Sequence, residues 1–337
     1  MNKRFKAAIV GCGKIGGAYG EDSFAQKIPS HAIVYCKNPK IDFIAVADVN
    51  EKKLDAFQKK WGTKRLYTNH NLMLKCEKID ILSICTPVDT HCDILKDSVN
   101  YGIKAIWCEK PISDDINKAE EMVDICRKKK IILAVNYFRR WSLSHLKVCE
   151  FIQDKKLGDI QQVICYYTKG ILNNGSHLID ILNFFFGEVE WVEGYHFIKE
   201  SAVDDPSLDA RLWFKEGFSA TLHAFNDNYF RIIEIDIIGT KGRICIKDSG
   251  NIFEYYKLCK HPRVSNLRTL RFSNLTDFNN GLMQPMATAL ENLIQCLNDK
   301  EKQPLCSGTD ALKTLKVVEA IKESFRKKGR RVKIENN

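Results

Sequence analysis

The chain has 337 residues, a length that suggests about two domains; its 45% hydrophobic and 28% charged residues are ordinary globular values, and 19 glycines and 8 prolines exclude a collagen-like or low-complexity chain. No apolar run approaches the roughly 18–20 residues of a membrane span, and the start Met-Asn-Lys-Arg-Phe-Lys carries no apolar stretch ahead of a cleavage site, so a cytoplasmic location is expected. The net charge of +10 is spread along the chain, its densest clusters (Arg127–Lys130 and Arg326–Arg331) falling at expected helix C-termini where the dipole favours cations, so neither nucleic acid nor membrane is expected as a partner.

Residues 1–136 alternate short apolar runs with helical patterns. The runs are Phe5–Val10, Phe43–Asp48, Arg65–Tyr67, Asp80–Cys85, Ala105–Glu109 and Ile131–Asn136. Runs apolar on both faces fit parallel strands covered by helices on each side. After Ser113, a candidate N-cap, Ile116, Ala119, Met122, Val123 and Cys126 recur at helical spacing, with Asp114 and Asp115 in the first turn. The repeated strand–helix order predicts an N-terminal doubly wound parallel sheet of α/β class.

From about residue 160 the rhythm changes. Gln162–Thr168, Glu190–Phe197, Asp209–Lys215, Phe218–Phe225, Arg231–Ile238, Arg243–Lys247 and Asn251–Tyr256 are strand candidates, several joined by Gly-containing turn signals. They predict a C-terminal α+β domain with an open, mostly antiparallel sheet. Helices are expected around Leu178–Phe186, Met286–Asn298 and Asp310–Lys328. The expected organisation is a dinucleotide-binding domain at 1–136, a substrate-binding and oligomerisation domain at 137–306, and a helix and tail at 307–337 that complete the fold. The 13 cysteines form no C-x-x-C pair, have no zinc-finger spacing with histidine, and sit mostly in apolar runs. They read as small buried hydrophobes, with no metal site expected.

Residues 11–16, Gly-Cys-Gly-Lys-Ile-Gly, directly follow the first strand and open an expected helix. That context gives the G-x-G-x-x-G pattern its meaning. Gly11 allows a tight turn, Gly13 lets the backbone approach a pyrophosphate, and Gly16 permits close helix–strand packing. Asp48 ends the second strand, where a carboxylate accepts from ribose hydroxyls and repels a 2′-phosphate. NAD is therefore expected over NADP. The gap from Gly16 to Asp48 is unusually long; Tyr19–Pro29 reads as an insertion, and it brings Lys27 and Lys53 into the area, which keeps NADP possible.

Six further motifs follow in order: Ile84–His91 (ICTPVDTH), Glu109-Lys110-Pro111, Val135–Trp141 (VNYFRRW), Asn173–Leu182 (NNGSHLIDIL), Ile237–Arg243 (IIGTKGR) and Pro304–Lys313 (PLCSGTDALK). Together with the glycine loop they resemble the Gfo/Idh/MocA oxidoreductases over nearly the whole chain. The resemblance implies a Rossmann domain followed by an open-faced α/β domain, homodimers or homotetramers, and hydride exchange between NAD or NADP and sugars, polyols or nucleotide-linked sugars.

The resemblance also implies roles for particular residues. Lys110, at the C-terminal end of a strand, would hydrogen-bond the reacting oxygen and stabilise negative charge there. His177 would exchange the hydroxyl proton. Asn173 stands where the family often has Asp, and an amide can bind a substrate hydroxyl but not accept its proton. Asp180 would orient His177 or cap the site. Arg139 and Arg140 would meet substrate or form an interdomain salt bridge; with the positive charge, they point toward an anionic substrate. Gly11, Gly13, Lys14, Ile15, Gly16, Asp48, Thr86, Pro87, Glu109, Lys110 and Asn136 would line the cofactor, with Glu109 at the nicotinamide ribose. His91 is taken with this set, although by itself it reads as a helix-start residue. Two alternatives stay open: a lyase or glycosidase-type enzyme that retains NAD and returns the hydride internally, and a non-catalytic sugar or cofactor sensor.

Overall fold

The computed structural model describes residues 4–18, 30–63, 65–198, 205–273 and 284–335. They fall into two compact units, residues 1–138 with 286–312, and residues 139–285 with 313–337. The block expected at 137–306 is thereby divided. The helix after residue 285 packs with the N-terminal unit, where Asn38 and Lys40 bind Glu291 at 2.8 and 2.7 Å.

The first unit is built on six strands: β1 (Phe5–Val10), β2 (Ile41–Ala47), β3 (Arg65–Tyr67), β4 (Ile81–Ile84), β5 (Ala105–Cys108) and β6 (Ile132–Val135). Their order is β3-β2-β1-β4-β5-β6, all parallel. Every residue of β4 and β5 is buried, as both-face coverage requires. The helices are α1 (His31–Lys37), α2 (Glu51–Trp61), α3 (His70–Cys76), α4 (His91–Ser98) and α5 (Ile116–Lys129). The cap of α5 is Asp115, whose carboxylate accepts from the Lys118 N–H at 3.0 Å. Ser113, the predicted cap, instead accepts from the Asp115 N–H at 3.2 Å, one turn-forming step earlier.

One feature of this sheet positions everything that follows. Val10 pairs with Ala47 and Ile84, Ile84 with Cys108, and Cys108 with Val135. Five strands thus end in one row. The next residues along the chain, Asp48, Gly11, Cys85, Glu109 and Asn136, leave the sheet along a single edge.

The second unit contains α6 (Leu143–Gln153), β7 (Ile160–Thr168), α7 (Ser176–Phe186), β8 (Val189–Ile198), β9 (Ser207–Phe214), β10 (Ser219–Phe225), β11 (Ile233–Gly239), β12 (Gly242–Lys247), β13 (Ile252–Lys260) and β14 (Arg268–Ser273). Helix α8 (Pro285–Asn298) belongs with the first unit, and most of α9 (Gly308–Arg326) and the short β15 (Val332–Lys333) with the second. The nine strands run in the order β14-β13-β12-β11-β7-β10-β9-β8-β15, antiparallel except for β7 with β10. One face is buried by Leu178, Ile181, Leu182 and Phe185 of α7, by Val148 and Phe151 of α6, and by Val317, Val318 and Ile321 of α9. Each fully buried aliphatic side chain of this kind contributes roughly 1.5–3 kcal/mol.

All seven predicted strands of this block form. Helix α6 and strands β14 and β15 were not predicted. No residue of β14 is buried, and its apolar alternation is limited to Leu270 and Phe272. All thirteen cysteines are free thiols and ten of them are buried. Among the described residues no helix is long and apolar enough to cross a membrane.

His145 on α6 is 1% exposed, with Nδ1 3.0 Å from the Ser142 hydroxyl and its ring between Phe185 and Phe253 at 6.3 and 5.2 Å. Burial, reinforced by the nearby Arg139 charge, pushes its pKa down to about 3. An unfolded chain takes up this proton near pH 6.5 and the folded chain only near pH 3. Stability from the neutral ring is therefore complete above about pH 6.5 and is lost as pH falls toward 3, by up to about 1.4 kcal/mol per pH unit. A His145→Phe variant should lose less stability than the wild type between pH 7 and pH 5 in guanidinium unfolding; equal losses would contradict this.

Candidate active site

The glycine loop is shaped by what each glycine faces. Gly11 has φ +103°, and a Cβ there would lie 2.6 Å from the Cys85 backbone at the end of β4. A Cβ on Gly16 would lie 2.1 Å from the Gly11 carbonyl oxygen. Gly13 is different: a Cβ there would meet nothing within 4 Å. Its backbone faces open space, and the sheet edge leaves room there for a ligand to approach.

The segment after the loop departs from expectation. Lys14–Ala18 forms one π-type turn, with Gly17 and Ala18 N–H groups both donating to the Gly13 carbonyl at 3.1 Å. Gly17 leaves helical geometry, and its bare Cα packs against Phe57 and Trp61 of α2. Tyr19–Pro29, expected as an insertion and including Lys27, lies outside the described residues.

Asp48 stands beside this loop. Its Oδ2 accepts from the Cys12 N–H at 2.7 Å and its Oδ1 from the Asn50 N–H at 2.9 Å. These two backbone donors fix the carboxylate at the end of β2 despite the long gap in sequence. A cleft of about 640 Å³ opens here, lined by Gly11, Gly13, Asp48, Lys53, Thr86 and Pro87, with Val49 (90% exposed) and His70 among its other walls. His70, which no motif marks, binds Asp97 at 2.8 Å. Cys12 and Cys85 lie at the same edge, but burial pushes the Cys12 thiol up to about 12 and the Cys85 thiol well above its usual value. They are packing groups, not nucleophiles.

Thr86, Pro87 and His91 take different roles. Thr86 and Pro87 line the cleft, and the Thr90 hydroxyl sits 2.8 Å from the Thr86 hydroxyl. His91 is 1% exposed, with Nε2 3.0 Å from the Thr86 carbonyl and Nδ1 3.1 Å from the Pro111 carbonyl. It braces the loops after β4 and β5 from behind and does not line the cleft, which corrects its placement among cofactor contacts.

Glu109 and Lys110 leave β5 at the common edge, and the Lys110–Pro111 peptide is cis. Glu109 Oε1 accepts from Asn136 Nδ2 at 2.6 Å and lies 3.0 Å from His31 Nε2. Asn136 Nδ2 also lies 3.1 Å from the Met286 sulfur, while its buried Oδ1 has no hydrogen-bond partner among the described residues. His31 was not singled out from the sequence. Its only mark there is a polar residue opening the apolar stretch Ala32–Tyr35.

The remaining candidates belong to the second unit. His177 is the second residue of α7 and is 5% exposed. Asn173 lies in the π-type turn Gly170–Gly175 just before it. Asp205, unmarked in sequence, anchors that turn: its Oδ1 accepts from Leu172 N–H and its Oδ2 from Asn173 N–H, both at 2.8 Å. Gly170, at φ +79°, is required here because a Cβ would lie 2.0 Å from the Asp205 carboxylate.

Arg139, Arg140 and Asp180 do not form the open substrate cluster that was expected. Arg140 Nε donates to Asp180 Oδ2 and its Nη2 to Oδ1, both at 2.9 Å, with side chains 4% and 1% exposed. Thr314 adds a hydrogen bond to Asp180 Oδ1 at 3.3 Å. Both partners lie within the second unit, so the pair is not interdomain. It fastens α7 to the turn Phe138–Trp141, and leaving either charge alone would cost about 3–5 kcal/mol. Arg139 is 4% exposed and donates to the Ser249 carbonyl at 3.2 Å. Burial lowers its pKa to about 10. Neither guanidinium is open to solvent, so the argument from these arginines to an anionic substrate loses its support.

Among the described residues no group of three or more His, Cys, Asp or Glu side chains is arranged to hold a metal ion. The cofactor fits on two independent observations: open space over Gly13, and the unsatisfied buried Asn136 Oδ1 at the same edge.

Comparison with known proteins agrees with this geometry. Residues 5–137 match a family model described as "Oxidoreductase family, NAD-binding Rossmann fold", and residues 168–334 match its companion, "Oxidoreductase family, C-terminal alpha/beta domain". D-apiose dehydrogenase of Paraburkholderia graminis is 24% identical over 99% of this chain and 91% of its own length. Myo-inositol 2-dehydrogenase of Thermotoga maritima is 23% identical over 98% of each chain. Among solved structures, the WlbA dehydrogenase of Bordetella pertussis, crystallised with NADH and UDP-GlcNAcA, superposes with a TM-score of 0.78 at 20% identity, covering 99% of this chain and 100% of that one. An Agrobacterium radiobacter oxidoreductase in complex with NAD+, L-tartaric acid and magnesium gives a TM-score of 0.78 at 21% identity, covering 98% and 99%. With a glycine loop, an acid at the end of β2 and Glu-Lys-Pro after β5 in an NAD-binding Rossmann unit, the chain belongs to the Gfo/Idh/MocA family of oxidoreductases.

Proposed function

We propose that the protein is an NAD-dependent dehydrogenase or ketoreductase acting on a ring hydroxyl or keto carbon of a sugar, polyol or nucleotide-linked sugar. The observation that carries this reading is the single edge at which Asp48, Gly11, Cys85, Glu109 and Asn136 leave five parallel strands whose last residues pair in one row, with Lys110 directly following Glu109. The relatives' names support the substrate class: D-apiose and myo-inositol for two of them, and a UDP-sugar bound in a third.

NAD, held at this edge, would supply the two-electron acceptor for a hydride from the carbinol carbon. The protein's own groups do the rest. Gly13 admits the pyrophosphate to the backbone, and Asp48 accepts from the adenosine ribose hydroxyls. Glu109 accepts from the nicotinamide ribose, and Asn136 Oδ1 offers an acceptor at the same edge. Lys110 hydrogen-bonds the reacting oxygen and stabilises the negative charge that grows as its proton leaves. His177 takes that proton in oxidation and returns it in reduction. Asn173 binds a neighbouring hydroxyl through its amide. Arg140 and Asp180 serve by holding α7 in place.

The test offers NAD and NADP with polyols, free sugars and nucleotide sugars and follows absorbance at 340 nm. Lys110→Ala should lower turnover by about 10²–10³-fold with NADH affinity nearly unchanged. Wild-type turnover in the variant would remove Lys110 from the chemistry. NADH should bind at least about tenfold tighter than NADPH, because Asp48 repels a 2′-phosphate; equal affinities in a fluorescence titration would overturn that preference. Asn173→Asp should shift substrate preference while activity is retained. Loss of all turnover with intact NADH binding would contradict the role given to Asn173.

A further inference from the structure

Behind the cofactor edge a buried chain of polar side chains leads from Glu109 and Asn136 to His31, Ser83 and Tyr35, three residues that the mechanism above does not use. The Tyr35 hydroxyl lies 2.6 Å from Ser83 Oγ, and Ser83 Oγ lies 2.8 Å from His31 Nδ1. His31 Nε2 lies 3.0 Å from Glu109 Oε1, which also accepts from Asn136 Nδ2 at 2.6 Å. His31 and Ser83 are fully buried, and Tyr35 and Asn136 are each 1% exposed. Trp107 of β5 covers the imidazole at 4.1 Å between ring centroids. The chain therefore ties the start of α1 to β4 and to the ends of β5 and β6.

Its hydrogen bonds have a direction. A carboxylate only accepts, so His31 Nε2 must carry a proton and donate to Glu109. Beyond it, Nδ1 shares a hydrogen bond with the Ser83 hydroxyl, which shares a second with the Tyr35 hydroxyl. From Tyr35 to Glu109 each side chain has a partner, as a low-dielectric interior demands, whereas Asn136 Oδ1 at the far end has none among the described residues. The chain stops at Tyr35, which is buried, so it offers no path for protons to solvent. What it does is fix Glu109. Both side-chain donors fall on Oε1, while Oε2 has the Lys110 N–H at 3.4 Å, and the Glu109 side chain keeps 11% exposure.

We propose that His31 is a positioning residue of the cofactor site: by donating to Oε1 it holds the Glu109 carboxylate so that Oε2 is presented to the hydroxyls of the bound nicotinamide ribose. This rests on the assignment of Glu109 to that ribose under the proposed function.

Two substitutions separate positioning from mere packing. In His31→Gln the amide nitrogen reaches the place of Nε2 and keeps a donor for Glu109. In His31→Asn the shorter amide matches Nδ1, keeping Ser83 and losing Glu109. Both are smaller than histidine and both remain polar. NADH affinity, read by nucleotide fluorescence, should stay within about threefold of wild type in His31→Gln and weaken about tenfold or more in His31→Asn, the loss expected when a hydrogen bond to a charged group is removed. Glu109→Gln should weaken binding by itself, and His31→Asn on that background should add little, because the two residues act as one unit. Equal losses in His31→Gln and His31→Asn, or multiplying losses in the double variant, would overturn the proposal and leave the ribose assignment standing. Wild-type affinity in Glu109→Gln would instead overturn the ribose assignment, and the proposal with it.

Discussion

The candidate chemistry depends on the register of a parallel sheet. Because β1, β2, β4, β5 and β6 run in one direction and their last residues pair in one row, the chain delivers Gly11, Asp48, Cys85, Glu109 and Asn136 to a common edge. Each residue is far from the others in sequence, and none is placed by a local signal alone. A shift of one residue in any pair would turn the following side chain to the opposite face. In β4 such a shift would also carry Ser83 away from His31 and Tyr35, to which it is bonded.

The polar groups that support this edge are held in closed sets. His91 bridges the loops after β4 and β5 through two backbone carbonyls. His31 secures Glu109 from the α1 side. In the second unit, the Arg140–Asp180 pair fixes α7 and Asp205 fixes the turn before His177. Buried ion pairs are costly to desolvate and are weak evidence for stability. Their value here is geometric: each holds a segment bearing a candidate functional group in one position.

Much of this was legible in sequence, for identifiable reasons. The glycine spacing after an apolar strand, the acid at the end of β2 and Glu-Lys-Pro after β5 are local patterns whose meaning depends only on strand ends. The strands themselves announce their type, continuous apolar runs in the first unit and alternation in the second. What escaped depends on contacts between distant residues. Nothing near Arg140 in sequence shows that Asp180 will take its guanidinium, so a substrate contact and a salt bridge both stay open there. Nothing near His31 shows Glu109. Strand β14 buries no residue and offers only Leu270 and Phe272 as an alternating pair. Where a helix is expected after the glycine loop, Lys14–Ala18 is a π-type turn, and Gly17 within it packs on Phe57 and Trp61.

The proposed activity is a direct hydride transfer between a carbinol carbon and the nicotinamide. The most direct measurement gives the protein NAD with polyols and sugars carrying deuterium on their carbinol carbons, and then determines by mass spectrometry where the deuterium resides. The account expects one deuterium in the nicotinamide ring of the NADH formed, in step with the ketone produced. Product formed with the deuterium returned to it and no labelled NADH released would contradict a dehydrogenase and indicate a retained cofactor.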